Sequence, residues 1–226
     1  MIQIYERLFE ENMIIEFPPV ELADPESGLL AVGGDLEVGS LELAYRSGIF
    51  PWPAREDQIL WFAPPQRAIL DFDDLHIPRR MQRHLKSNRF SFRINHNFEA
   101  VIHHCANSKN RGKGQGTWIT RQMLNTYIEF HHAGFAYSFE TYNQSGKIAG
   151  GLYGVRIGNY FAGESMFYFE PNASKFALLK AIEYFREEGF TWIDIQMLTP
   201  LLENLGAKEI PRNAFMKRLK TTIGEE

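Results

Sequence analysis

Two short runs carry side chains that a strand interior seldom hosts: Glu164 in Gly163-Glu164-Ser165-Met166-Phe167, and Asp194-Ile195-Gln196 about thirty residues on. Each run ends a stretch patterned as a β-strand, and the segment between them is patterned as one helix. Side chains two apart share a strand face, so Trp192, Asp194 and Gln196 are expected on one side. A carboxylate and an amide on an otherwise apolar strand are costly to bury unless something polar meets them, which marks a candidate site. Glu164 and Asp194 are formally a glycosidase pair, but no other signal for sugar binding accompanies them.

Other chemistries lack their signatures. His103-His104 and His131-His132 are adjacent pairs, and neighbours on a helix diverge by about 100° instead of converging on one ion. The chain has no Gly-x-Ser-x-Gly elbow. Lys109, Arg111 and Lys113 run through Gly112, Gly114 and Gly116, yet Gly114 follows Lys113 where a phosphate-binding loop needs Ser or Thr. A basic loop beside Trp118 fits better.

The net charge of −4 conceals an asymmetry. Residues 1–50 hold ten acids against Arg7 and Arg46, a net of −8. Residues 75–98 hold no acid and six cations, Arg79, Arg80, Arg83, Lys86, Arg89 and Arg93. A helix over 79–89 would set Arg79, Arg83 and Lys86 on one side and Met81 and Leu85 on the other. Such a strip is either a solvated face or a docking surface for phosphates. Trp52 and Trp118 sit among Gly and Pro punctuators, where a ring suits stacking on an unpaired base. Together these features favour RNA as a partner.

The elements that must position these groups fall into two parts. Residues 1–75 are rich in Gly and Pro and predict a small lobe of short elements, with a helix from Ser40 (the N-cap) to Arg46. Residues 76–226 predict a strand at 90–94, helices at 98–105 and 120–132, and strands at 136–142, 147–156 and 159–167. A helix at 173–188, a strand at 190–197 and a short helix after Thr199-Pro200 follow. The order strand, helix, strand over 159–197 is a βαβ unit, and Glu164 and Gln196 stand at the C-terminal ends of its strands, where open sheets hold ligands. The fold class is α+β with a mixed sheet.

These motifs resemble one family, the leucyl/phenylalanyl-tRNA–protein transferases. The matching runs are Leu30 to Leu36, Tyr45 through Gly48 to Trp52, Gly116 to Thr120, Gly150 to Gly154, Gly163 to Phe167, Asn172 to Lys175, Asp194 to Gln196, and Leu205 to Arg212, in the family's order over residues 17–220. The resemblance implies a GNAT-like acyltransferase domain and transfer of Leu or Phe, with Met a further candidate, from aminoacyl-tRNA to an N-terminal Arg or Lys. That step marks the acceptor protein for degradation. By resemblance Trp52 and Trp118, with Tyr45 nearby, hold the tRNA 3′-adenosine. Leu152, Phe161, Met166 and Ile193 line the aminoacyl pocket, and Arg79, Arg80, Arg83, Lys86 and Arg89 grip the acceptor stem. Asp194 and Gln196 deal with the acceptor's proton, Gln196 orienting the amine and Asp194 steadying its charge, and Glu164 completes the negative pocket. No metal or cofactor is implied, because the ester is already activated. The chain departs from the family pattern at Leu201, where a His is usual, at Ile195, where Cys is common, and in a longer, more basic loop at 107–116.

Composition sets the remaining bounds. At 226 residues and 44% hydrophobic content the chain can bury one substantial core plus a smaller module. Cys105 is the sole cysteine, no apolar run reaches bilayer length, and the start lacks signal-peptide order, so a cytoplasmic protein is expected. A monomer is taken as the starting expectation, which these features do not decide. A coenzyme A-dependent N-acyltransferase would need a Gly-rich pyrophosphate turn where this chain has Phe169 to Ser174 without glycine. A non-catalytic tRNA-binding module is the other alternative.

Overall fold

The computed structural model describes residues 9–10, 13–52, 58–108 and 119–224. Strands β1 (Phe9–Glu10) and β2 (Met13–Ile14) pair antiparallel at the start. Next come β3 (Leu29–Val32), helix α1 (Val38–Arg46), β4 (Phe50–Pro51) and β5 (Leu60–Phe62). β5 pairs with both β3 and β4 in a three-stranded sheet. These strands are two to four residues long, too short to show an alternation in sequence. Ser40 is not the cap of α1. The helix starts at Val38, and the buried Ser40 hydroxyl accepts the Ile14 N–H at 2.9 Å, tying β2 to the helix.

The larger sheet has seven strands. In chain order its elements are β6 (Gln66–Asp71), α2 (Arg79–Leu85), β7 (Phe90–Ile94), α3 (Phe98–Ala106), α4 (Arg121–His132), β8 (Ala136–Asn143), β9 (Ile148–Ile157) and β10 (Tyr160–Tyr168). They continue through α5 (Ala173–Glu187), β11 (Trp192–Gln196), α6 (Pro200–Glu203), β12 (Lys208–Pro211) and α7 (Arg212–Ile223). The spatial order is β12-β6-β11-β10-β9-β8-β7. β10 and β11 pair in parallel across the helix α5, the expected βαβ unit, and the other neighbours are antiparallel. β6 lies inside this sheet although it precedes residue 75, so the sheet begins ahead of the boundary expected there.

Local chemistry explains the helices next to the site. In α4 the Thr120 hydroxyl accepts the Met123 N–H at 3.2 Å, and Met123, Thr126, Tyr127 and Phe130 form the buried stripe. Gly134 just past its end takes φ +89°. Helix α5 is buried on most of its circumference, from Ala173 to Phe185, because it spans the middle of one sheet face. The opposite face is covered by α1, α3, α4 and α7 through Tyr45, Ile102, Tyr127 and Phe215.

One ion pair ties these layers together. Arg67, in the interior strand β6, is 1% exposed and meets the fully buried Asp194 of β11. Its Nε donates to Asp194 Oδ1 at 2.9 Å and its Nη2 to Oδ2 at 2.7 Å. Nη1 donates to the Gly48 carbonyl at 3.2 Å. The guanidinium lies between the rings of Phe50 and Phe215, 4.5 and 4.7 Å from their centroids. Gly48 has φ +71°, which strains any larger residue, and a Cβ there would stand 2.6 Å from Met216 Sδ, so that side chain would have to shift. Burial works against the charge on Arg67, but Asp194 and Tyr160 outweigh it and hold its pKa above the usual arginine value. Arg67→Met leaves the Asp194 carboxylate buried and uncompensated, and is expected to cost about 3–5 kcal/mol in urea unfolding, with part recovered in Arg67→Met/Asp194→Asn.

Candidate active site

The site forms where β10 and β11 part. The two strands pair at Ala162 and Asp194, and immediately beyond that point each carries an irregularity. In β10 the register against β9 shifts between Gly163 and Ser165, with Glu164 as the extra residue. In β11 the register against β6 shifts between Asp194 and Gln196, with Ile195 as the extra residue. Bulges of this kind bend a strand and re-aim its side chains. Gln196 takes φ +60°, a left-handed conformation that a non-glycine residue adopts only under constraint, and its N–H donates to Asp194 Oδ1 at 2.8 Å. Strict alternation therefore ends at Asp194.

Asp194 is saturated. Its oxygens accept from Arg67, from the Gln196 N–H and from the Tyr160 hydroxyl at 2.5 Å, and the residue is fully buried. Both oxygens are thus engaged within the protein, and the Gln196 contact fixes the backbone of the bulge.

Glu164 is placed differently. Its Oε1 accepts from the Tyr45 hydroxyl at 2.7 Å and from Gln196 Nε2 at 2.6 Å. Its Oε2 is shielded from solvent and has no hydrogen-bond partner among the described residues. Burial raises the pKa of Glu164 to about 7, against the lowering effect of the Tyr45 hydrogen bond, and the Asp194 charge adds to the rise.

Glu164 and Gln196 line a pocket of about 350 Å³ that is otherwise mainly apolar. Leu152, Phe161, Met166 and Ile193, the expected side-chain pocket, all line it, and so does Trp52. Leu178, Ile195, Met197 and Leu202 extend the apolar wall, and Leu201, at the position where a His is usual, also lines the space. An apolar chamber with a few convergent polar groups has the composition of a small-ligand site.

Other expected residues fall elsewhere. Tyr45 is wholly buried, and its hydroxyl donates to Glu164. Trp118 and most of the basic loop lie outside the described residues. Helix α2 ends at Leu85, so Lys86 caps it instead of continuing the row, yet Arg79, Arg80, Arg83, Lys86 and Arg89 are all exposed while Met81 is buried. Arg89 pairs with Glu170 at 3.0 Å, which balances its charge locally. The end of α2 reaches the pocket end of the sheet, because His84 Nε2 lies 3.4 Å from Asn172 at the start of α5.

Sequence reasoning missed Arg67, Tyr127 and Tyr160. A signal for Arg67 exists: one cation followed by Ala68-Ile69-Leu70, a run apolar enough to be buried, calls for a carboxylate partner. Among the described residues no cluster of three His, Cys, Asp or Glu is arranged to hold a metal ion, and no helix is long and apolar enough to cross a membrane.

Comparison with known proteins agrees on one family. Residues 69–220 match the family described as "Leucyl/phenylalanyl-tRNA protein transferase", and residues 34–65 match its N-terminal domain. A leucyl/phenylalanyl-tRNA–protein transferase of Anaeromyxobacter sp. (strain K) is 46% identical over 207 residues, covering 92% of this chain and 88% of its own. That of Pectobacterium carotovorum subsp. carotovorum (strain PC1) is 44% identical over 215 residues, covering 94% and 90%. Among solved structures, FemX superposes with a TM-score of 0.52 at 11% identity, over 81% of this chain and 70% of that one, a likeness of fold alone. By sequence over nearly its whole length, the chain belongs to the leucyl/phenylalanyl-tRNA protein transferase family.

Proposed function

We propose that this protein transfers leucine or phenylalanine from an aminoacyl-tRNA to the N-terminal Arg or Lys of a protein. The observation that carries the chemistry is Glu164 Oε2, a shielded acceptor with no partner among the described residues, on a carboxylate at an apolar pocket. The reaction is aminolysis of an ester. The acceptor α-amine has a pKa of about 8, so it gives one proton to solvent before it attacks, and a second must leave the nitrogen as the bond forms. A carboxylate with a pKa of about 7 is matched to taking it near neutrality.

In this reading the aminoacyl side chain enters the wall of Leu152, Phe161, Met166 and Ile193, which fixes the ester carbonyl beside Glu164 and Gln196. The amine nitrogen attacks the carbonyl carbon and a C–N bond forms. Its proton passes to Glu164, the C–O bond to the terminal ribose breaks, and Glu164 returns the proton to the leaving ribose oxygen. Gln196, held by its donation to Glu164, orients the amine. The ionised Glu164 also favours a cationic N-terminus over a neutral one.

Trp52, half-buried at the pocket, supplies a ring for the terminal adenosine, with Trp118 as the second. Arg79, Arg80, Arg83 and Lys86 offer exposed positive charge to the acceptor stem, and Arg89 adds less because Glu170 engages it. The parting of β10 and β11 beside a βαβ unit is consistent with a GNAT-like catalytic domain, and the three-stranded lobe would contribute to the tRNA end. The reading places the protein in the cytoplasm as a monomer.

The class is tested by transfer of labelled Leu or Phe from tRNA to peptides beginning with Arg, Lys or Ala. Transfer to the first two and not the third is expected, with at least a hundredfold loss in Glu164→Ala. Transfer to all three alike, or to none, contradicts the proposal. The raised Glu164 pKa also sets a pH dependence of stability. Between pH 4.5 and about 7 the folded state holds this proton more tightly than the unfolded chain, so the group's ionisation lowers stability as pH rises. Relative to the parent, Glu164→Gln should therefore gain about 1–3 kcal/mol between pH 4.5 and pH 8, read from denaturation midpoints at several pH values.

A further inference from the structure

The proposed reaction uses Glu164 but leaves unexplained a buried phenol pair behind it. Tyr45 of α1 and Tyr127 of α4 are both fully buried, with their hydroxyl oxygens 2.5 Å apart. The Tyr45 hydroxyl has one proton, and it donates that proton to Glu164 Oε1 at 2.7 Å. The short contact between the phenols must then run the other way, with Tyr127 donating to Tyr45. Both protons point toward the carboxylate. Burial, with the Glu164 charge beside them, pushes both phenols well above the usual tyrosine value, so each keeps its proton near neutral pH.

We propose that Tyr127 is a positioning residue for the acyl transfer: it aims the Tyr45 hydroxyl at Glu164 Oε1, so that Oε2 is the oxygen left to the acceptor amine. This rests on the proposed role of Glu164. A chain of two donors polarises along its length and stabilises the carboxylate more than one donor does. Tyr45 comes from the small lobe and Tyr127 from the helix that opens at Thr120, so seating of both elements reaches the reacting oxygen through this chain. The other titratable groups around Glu164 are Asp194 and Arg67, from β11 and β6, and Tyr160 and Tyr153, from β10 and β9. Neither Asp194, Arg67 nor Tyr160 bonds to Tyr127, so its substitution leaves the ion pair intact.

The test is Tyr127→Phe, which keeps the ring and removes the donor. Infrared difference spectra, with Glu164→Gln identifying the band, follow protonation of the Glu164 carboxyl without any turnover. The titration midpoint should rise by about half a unit in Tyr127→Phe and by about one unit or more in Tyr45→Phe. With saturating aminoacyl-tRNA, kcat at pH 7 should fall about twofold in Tyr127→Phe with KM unchanged, and the deficit should vanish by pH 9. An unchanged midpoint, or a deficit equal at pH 7 and pH 9, overturns the positioning role. A shifted midpoint with no change in rate at any pH supports the hydrogen-bond chain and instead contradicts Glu164 as the proton acceptor.

Discussion

A guanidinium with almost no exposure to water, facing a carboxylate with none, is the constraint around which this protein is arranged. Neither charge is tolerable alone in that setting. The pair forces β6 into the interior of the sheet beside β11, draws the Gly48 carbonyl and Phe50 of the small lobe against it, and brings Phe215 of α7 over its other face. Lobe, sheet and C-terminal helix thus share one joint. The joint engages both oxygens of Asp194, so this carboxylate anchors the sheet whatever else it does.

That anchoring creates the site next to it. Asp194 also holds the Gln196 N–H, which stabilises a left-handed residue at the end of β11 and completes the bulge. The facing bulge in β10 turns Glu164 toward the same space. With β10 and β11 parted, the gap between them is lined by Leu152, Phe161, Leu178 and Ile193 and closed at its polar end by Glu164 and Gln196. Shielding of that carboxylate opposes its ionisation and lifts its pKa to about 7. The same feature that weakens the fold above neutral pH would, in the proposed reaction, suit Glu164 to accept a proton, a common way for a site to hold free energy in reserve.

What was legible in the sequence follows from periodicity. Phe90 to Ile94 alternates and is a strand with alternating burial, and the stripe Met123, Thr126, Tyr127 and Phe130 with Thr120 as cap marks α4 to the residue. The strands expected at 136–142, 147–156 and 159–167 are present with ends within one residue, and the crossover helix is present as well. Leu152, Phe161, Met166 and Ile193, named through the family resemblance, line one pocket, and Trp52 lines it with them. Less was legible where structure depends on partners distant in sequence. Arg67 and Asp194 are 127 residues apart, so the apolar run after Arg67 hints at a buried cation but not at which carboxylate meets it. The bulges are by nature exceptions to period two, so the shared face predicted for Trp192, Asp194 and Gln196 breaks at Ile195. Tyr45 could be matched by motif, but only packing reveals that its ring is enclosed and its hydroxyl supports Glu164.

The account turns on Glu164 being the group that exchanges the proton. Its most direct test is the single-turnover rate of acyl transfer from saturating Phe-tRNA to an Arg-initiated peptide, followed from pH 5 to pH 9 in the parent and in Glu164→Gln. A limb with a midpoint of about 7 is expected in the parent, and in Glu164→Gln a slow rate lacking that limb and retaining only the titration of the acceptor amine. A limb near 7 that survives in Glu164→Gln would assign the proton to another group and contradict the account.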